Sequence, residues 1–144
     1  MKPEIDTKKY PYVCPFNMSI PTPWGRVVVP RGFLADGASG VIDLCKEAFF
    51  AHDRLYLCPE VEGKRIGKFK CDLIYGWILM KAWRIGRAFI RPLGLSIFGW
   101  VAWNKYRKKE KKNPNWWLQK HVVRNAYKWD FPSFYSKDAV YTGD

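Results

Sequence analysis

One of the chain's two histidines stands in the stretch AFFAHDRLYLC, residues 48–58, directly before an aspartate and four positions before a tyrosine. Positions i and i+4 share a helix face, so His52 and Tyr56 stand one turn apart while Asp53 points about 100° further round. A second aspartate, Asp72, falls in the first turn or so of the next helix. The connection between the two helices is short enough to make them antiparallel neighbours, which carries Asp72 to the imidazole. A carboxylate on one imidazole nitrogen fixes the tautomer and leaves the other nitrogen to take a proton from water, the work of a general base. Asp53, turned elsewhere, is placed to bind a cation. A hard cation such as Ca²⁺ wants about six to eight oxygens, and a small-residue loop offers backbone carbonyls to it. ADGASG, with Asp36, Gly37, Ser39 and Gly40, is such a loop just upstream.

The same residue types also fit a bland arrangement. His52 and Tyr56 can be satisfied polar groups in a helix pair, with Asp36 and Asp72 as cap or hydrogen-bond partners. A histidine–aspartate phosphohydrolase would need a histidine ahead of His52, and the other one, His121, lies far downstream. A zinc site on His52, Asp53, Asp72 and a cysteine has no recognisable ligand spacing. Ser39 as a nucleophile with His52 as its base is a further arrangement.

The elements that must hold these groups can be read from pattern. Residues 1–26 form an irregular proline-rich arm with Pro3, Pro11, Pro15, Pro21 and Pro23, compatible with edge strands. Val27, Val28 and Val29 predict a brief strand ended by Pro30. Apolar spacing predicts a first helix over Ile42–Leu57, with Asp43 near its N-terminus. CPEVEGKRIGK suits a connection or small hairpin, and a second helix starts near Lys68 and runs towards Gly86. A further helical stretch after Pro92 ends in a cationic run, and the tail holds one more short helix. No internal repeat is present. The expected fold is mainly α: a short β or loop N-terminal region followed by three or four helices. Residues 27–112 would form the core helical domain, and residues 113–144 an aromatic-rich extension packed on it.

Composition narrows the partners. At 144 residues the chain has the size of one domain, and 25 basic against 13 acidic side chains give a formal charge of +12, which favours polyanions. The N-terminus has charges and prolines where an export signal needs an apolar block. Cys14, Cys45, Cys58 and Cys71 are too few for a disulfide scaffold; Cys58 and Cys71 could bridge, but reduced core cysteines are the expectation. Lys81, Arg84, Arg87 and Arg91 interrupt the apolar region around them, so no bilayer-spanning helix is expected, while an interfacial one is compatible. The run KYRKKEKK supplies Lys105, Arg107, Lys108, Lys109, Lys111 and Lys112, followed by Trp116 and Trp117. Such a set suits an anionic phospholipid surface, nucleic acid, or contacts with other virion proteins, and equally a solvated helix end.

Two resemblances attach to these motifs. Over residues 27–103, VVVPRGFLADGAS, HDRLY, CD and FGWVAW resemble a family of uncharacterised bacteriophage proteins with the ordered pattern V-x-V-P-x-G-F-x-x-D-G-A-S, H-D-x-L-Y and x-D. More distantly, HDRLY and the later CD resemble the phospholipase A2 superfamily, its compact viral-capsid branch in particular. That resemblance implies an antiparallel helix pair and a calcium-dependent attack of water on a phospholipid ester. It implies His52 as base, Tyr56 and Asp72 as its supports, Asp53 as calcium ligand, and Gly37, Ser39 and Gly40, beside Asp36, as the calcium loop. The chain departs from secreted members in its loop glycine pattern and in lacking their cysteine framework. The implied setting is the host cytoplasm or the virion, peripheral to a membrane.

Overall fold

The computed structural model describes residues 5–35, 46–83 and 99–136. Within them the fold is mainly helical with an N-terminal β and loop region. Strands β1 (Tyr12–Val13), β2 (Met18–Thr22), β3 (Gly25–Val29) and β4 (Leu34–Ala35) precede helix α1 (Lys46–Leu57). A hairpin of β5 (Glu60–Val61) and β6 (Lys64–Arg65) leads to α2 (Lys68–Trp83), and then come α3 (Trp100–Lys112), α4 (Trp116–Lys120) and a 3₁₀ turn at Ala126–Lys128. The expected beginnings of the first helix (42–45) and third helix (93–99 in part), and the end of the second (84–86), lie outside the described residues.

The proline-rich arm is more regular than its prolines suggest. β2 and β3 pair antiparallel from Met18↔Val29 to Thr22↔Gly25. Alternation works on both strands: Met18, Ile20, Val27 and Val29 are buried, while Ser19, Pro21, Arg26 and Val28 face outward. Pro21 is tolerated because a two-stranded sheet leaves each strand one unpaired edge. Gly25 has a φ of +122°, and a Cβ there would fall 2.8 Å from the Val61 side chain. Glycine therefore permits both the turn and the close approach of the β5–β6 hairpin. That hairpin turns on Glu62 and Gly63, whose φ values of 50° and 78° are the two left-handed positions that match strand twist.

α1 is the central element. Ala48, Phe49, Phe50, Ala51, His52, Leu55, Tyr56 and Leu57 are all buried, so the helix is covered on most sides, by α2, α3 and the strands. The last carbonyls of α1 and those of the turn after it are met by guanidinium groups rather than by a glycine cap. Arg54 donates to Cys58 O and Glu60 O, both at 2.7 Å, and Arg107 reaches from α3 to Tyr56 O and, at 3.1 Å, to Leu57 O.

The chain's C-terminal part is stitched to its N-terminal part. Val13 N–H donates to Phe134 O, Leu34 N–H to His121 O and Val123 N–H to Gly32 O, at 2.7, 2.7 and 2.9 Å. Val13, Leu34, Val123 and Phe131 form a small core beside the main one. Cys14, Cys58 and Cys71 are free thiols, so the alternative of a Cys58–Cys71 bridge is not taken up. Burial pushes the Cys14 and Cys71 thiols up to about 11 and about 12, as for inert core cysteines. Among the described residues no helix is long and apolar enough to cross a membrane.

Candidate functional site

α1 turns His52 and Tyr56 toward α2, and α2 meets them with Lys68 and Asp72, also one turn apart. His52 Nε2 lies 2.9 Å from Asp72 Oδ1, and the Tyr56 hydroxyl donates to the same oxygen at 2.7 Å. The Lys68 ammonium donates to Asp72 Oδ2 at 2.9 Å. Contacts between the helices run in opposite order, His52 against Tyr75 and Tyr56 against Lys68, as antiparallel helices require. Asp72 is wholly buried, Lys68 is 4% exposed and His52 is 7% exposed, so this is a polar island inside an apolar contact.

The island's charges are answered group by group. Burial alone would raise the Asp72 carboxyl, but hydrogen bonds from His52, Lys68 and Tyr56 outweigh it and hold the group below the usual carboxylate range. An ionised carboxylate only accepts, so His52 Nε2 must carry the proton of their bond, and Nδ1 is the proton acceptor of the neutral ring. Burial first, and then the bond to Asp72, push the Tyr56 phenol far above its ordinary value, which keeps it a neutral donor. Lys68 balances the charge of Asp72 without involving the imidazole. Its ammonium also lies 5.1 Å from the Trp100 ring centroid, at the start of α3. The imidazole is flanked by Tyr56 at 4.2 Å and Tyr75 at 5.0 Å between centroids, and Trp103 of α3 packs edge-on against Tyr56. These ring contacts add to the hydrogen bond to Asp72 in orienting the histidine.

Three of the residues anticipated from sequence, His52, Tyr56 and Asp72, therefore meet. Lys68 was not anticipated, although its i,i+4 spacing to Asp72 was visible in KFKCD. Asp53 is half-buried and takes part in an interaction of its own, and its charge bears on Tyr56. Asp36, Gly37, Ser39 and Gly40 lie outside the described residues. Among the described residues no group of three or more His, Cys, Asp and Glu side chains is arranged to hold a metal ion.

The anticipated surface set needs correction at three positions. Trp116 and Trp117 are 6% and 8% exposed and belong to the main core, where Trp116 packs on Tyr106 of α3 and Trp117 on Phe33 just before β4. They are not available to a bilayer or to bases. Arg107 is turned inward to the end of α1, as described above. Lys105, Lys108, Lys109, Lys111 and Lys112 are exposed as expected. Comparison with protein-family models, with curated proteins and with solved structures found no match to this chain.

Proposed function

We propose that His52 is the general base of a phospholipase A2-like ester hydrolase acting at an anionic phospholipid surface. The observation that carries this is the Asp72 carboxylate on His52 Nε2, which leaves Nδ1 as the ring's acceptor. In the proposed reaction Nδ1 takes a proton from water as the water oxygen attacks the ester carbonyl. The imidazolium so formed is stabilised by Asp72 and returns the proton to the departing alkoxide, releasing fatty acid and lysolipid. Tyr56 and Lys68 keep Asp72 ionised and in place. A calcium ion held by Asp53 and carbonyls of the 36–40 loop would, when bound, polarise the ester carbonyl.

The test is fatty-acid release from anionic phospholipid vesicles, with and without calcium and with a chelator. His52→Gln, with its fold verified by circular dichroism, should lower release by about 10²- to 10⁴-fold. Equal release by the variant and the parent would reject the base assignment. Loss of release on chelation would support the calcium loop.

A second reading is favoured by a specific observation: Lys68 already compensates Asp72, and only 7% of His52 is exposed. On this reading the island is a lock between α1 and α2 in a non-enzymatic virion structural or assembly protein. It expects no fatty-acid release from the parent protein, together with a loss of stability when the island is broken.

A further inference from the structure

A second set of polar groups gathers on the outer side of α3, away from the island. Lys105 and Lys109 stand one turn apart on α3, while Lys9 comes from the N-terminal segment and Lys120 from the end of α4. An aromatic floor joins the three segments. Tyr10 packs edge-on against His121 at 5.2 Å and Trp116 edge-on against His121 at 5.4 Å, while Tyr106 lies tilted against Trp116 at 5.7 Å. Two of the lysines rest on this floor, Lys109 at 5.0 Å from the Trp116 centroid and Lys9 at 5.4 Å from that of Tyr10. Partial burial, followed by repulsion from Lys105, Lys9 and Lys120, lowers the Lys109 ammonium from its ordinary value.

The one acid of the run does not relieve this crowding. Glu110 follows Lys109 about 100° further round α3 and pairs with Arg65 and, at 3.6 Å, with Arg107. Like charges one turn apart cost a helix a few tenths of a kcal/mol. The Asp6 carboxylate accepts from the Lys9 backbone N–H at 3.2 Å at one edge of this face, and four ammonium groups gathered from three segments leave it strongly cationic, which suits an external polyanion.

We propose that the face formed by Lys9, Lys105, Lys109 and Lys120 binds the phosphate backbone of a nucleic acid. Trp116 beneath Lys109 is 6% exposed and the Tyr10, Tyr106 and His121 rings are half-buried, so the exposed groups of this set are the lysines. Sugar–phosphate recognition needs only the charge. Along α3 the row Lys105, Lys109, Lys112 spans about 10 Å. That length matches about three phosphate intervals of one strand. The site is independent of the His52 island and stands or falls apart from it.

The experiment is fluorescence anisotropy of a short labelled DNA duplex of mixed sequence, titrated with the full chain between about 50 and 200 mM salt. Anionic vesicles serve as a parallel arm. Four phosphate contacts give a log–log salt slope of about −3.6, which weakens binding by roughly a hundredfold over that range. The variant Lys9→Gln, Lys105→Gln, Lys109→Gln, Lys120→Gln should flatten the slope by about 3.6. A control variant with Lys64, Lys70, Lys81 and Lys128 changed to Gln carries the same net charge and should bind as the parent does. Circular dichroism of both variants excludes misfolding. Equal weakening by the two variants would show that net charge alone attracts DNA and would overturn the site. Binding to vesicles without binding to DNA would overturn the choice of partner.

Discussion

The α1–α2 contact and the outer face of α3 handle charge in opposite ways. In the first, one buried carboxylate receives His52 and Tyr56 on one oxygen and Lys68 on the other. In the second, ammonium groups stand side by side in solvent. A low-dielectric interior admits ions only when they are paired and hydrogen-bonded, whereas water screens repulsion between exposed like charges. The difference teaches where each kind of chemistry can reside. Fixed orientation of a proton acceptor belongs to the interior, and loose capture of a polyanion belongs to the exterior.

The contrast breaks most visibly at Asp72. Asp72→Ala leaves the Lys68 ammonium buried without its anion and should cost about 3 to 5 kcal/mol in urea denaturation. Adding Lys68→Met to that variant should recover part of the loss, since both charges are then gone. A double variant no more stable than Asp72→Ala would mean that the ion pair is not what the site must satisfy.

A smaller effect is expected where a charge bonds mainly to backbone carbonyls and its partner ion is only half-buried. Arg107→Met removes two hydrogen bonds to the end of α1, and a charged hydrogen bond contributes about 1.5 to 3 kcal/mol. The thermal midpoint should fall accordingly. Tyr56→Phe removes a neutral donor from Asp72 and should cost about 0.5 to 1.5 kcal/mol.

Acid sharpens the same comparison. The Asp72 carboxyl is held low in the folded protein, so its stabilisation is fully present above the unfolded value of about 3.9. It is lost as pH falls through the folded value. Stability measured against pH should therefore decline below about pH 4 in the parent, and Asp72→Ala should lack that component. The smallest effect belongs to the exposed face. Lys105→Gln should change stability by less than about 0.5 kcal/mol, in the stabilising direction, because it relieves repulsion of Lys109.

These elements were legible in the sequence to different degrees. The meeting of His52, Tyr56 and Asp72 followed from i,i+4 spacing and a short connection, both local properties. Lys68 escaped because a lysine in a first turn opposes the helix dipole and reads as a solvated residue; only its partner explains it. Trp116 and Trp117 were misplaced because adjacent tryptophans after a cationic run suggest a surface, whereas their burial depends on strands distant in sequence. The pairing of Tyr12 and Val13 with Ala35 and Leu34, and the bridge from Tyr12 to Tyr135, are equally non-local. A two-residue strand has no periodicity to detect. The gathering of Lys9 with Lys109 and Lys120 depends on the same long-range stitching.

The central claim is that a buried carboxylate holds His52 with Nε2 as donor and Nδ1 as acceptor. Long-range nitrogen–proton NMR correlation of the imidazole, at a pH where the ring is neutral, reads this directly. The account predicts the proton on Nε2 and a bare Nδ1. A neutral ring protonated on Nδ1 would contradict it.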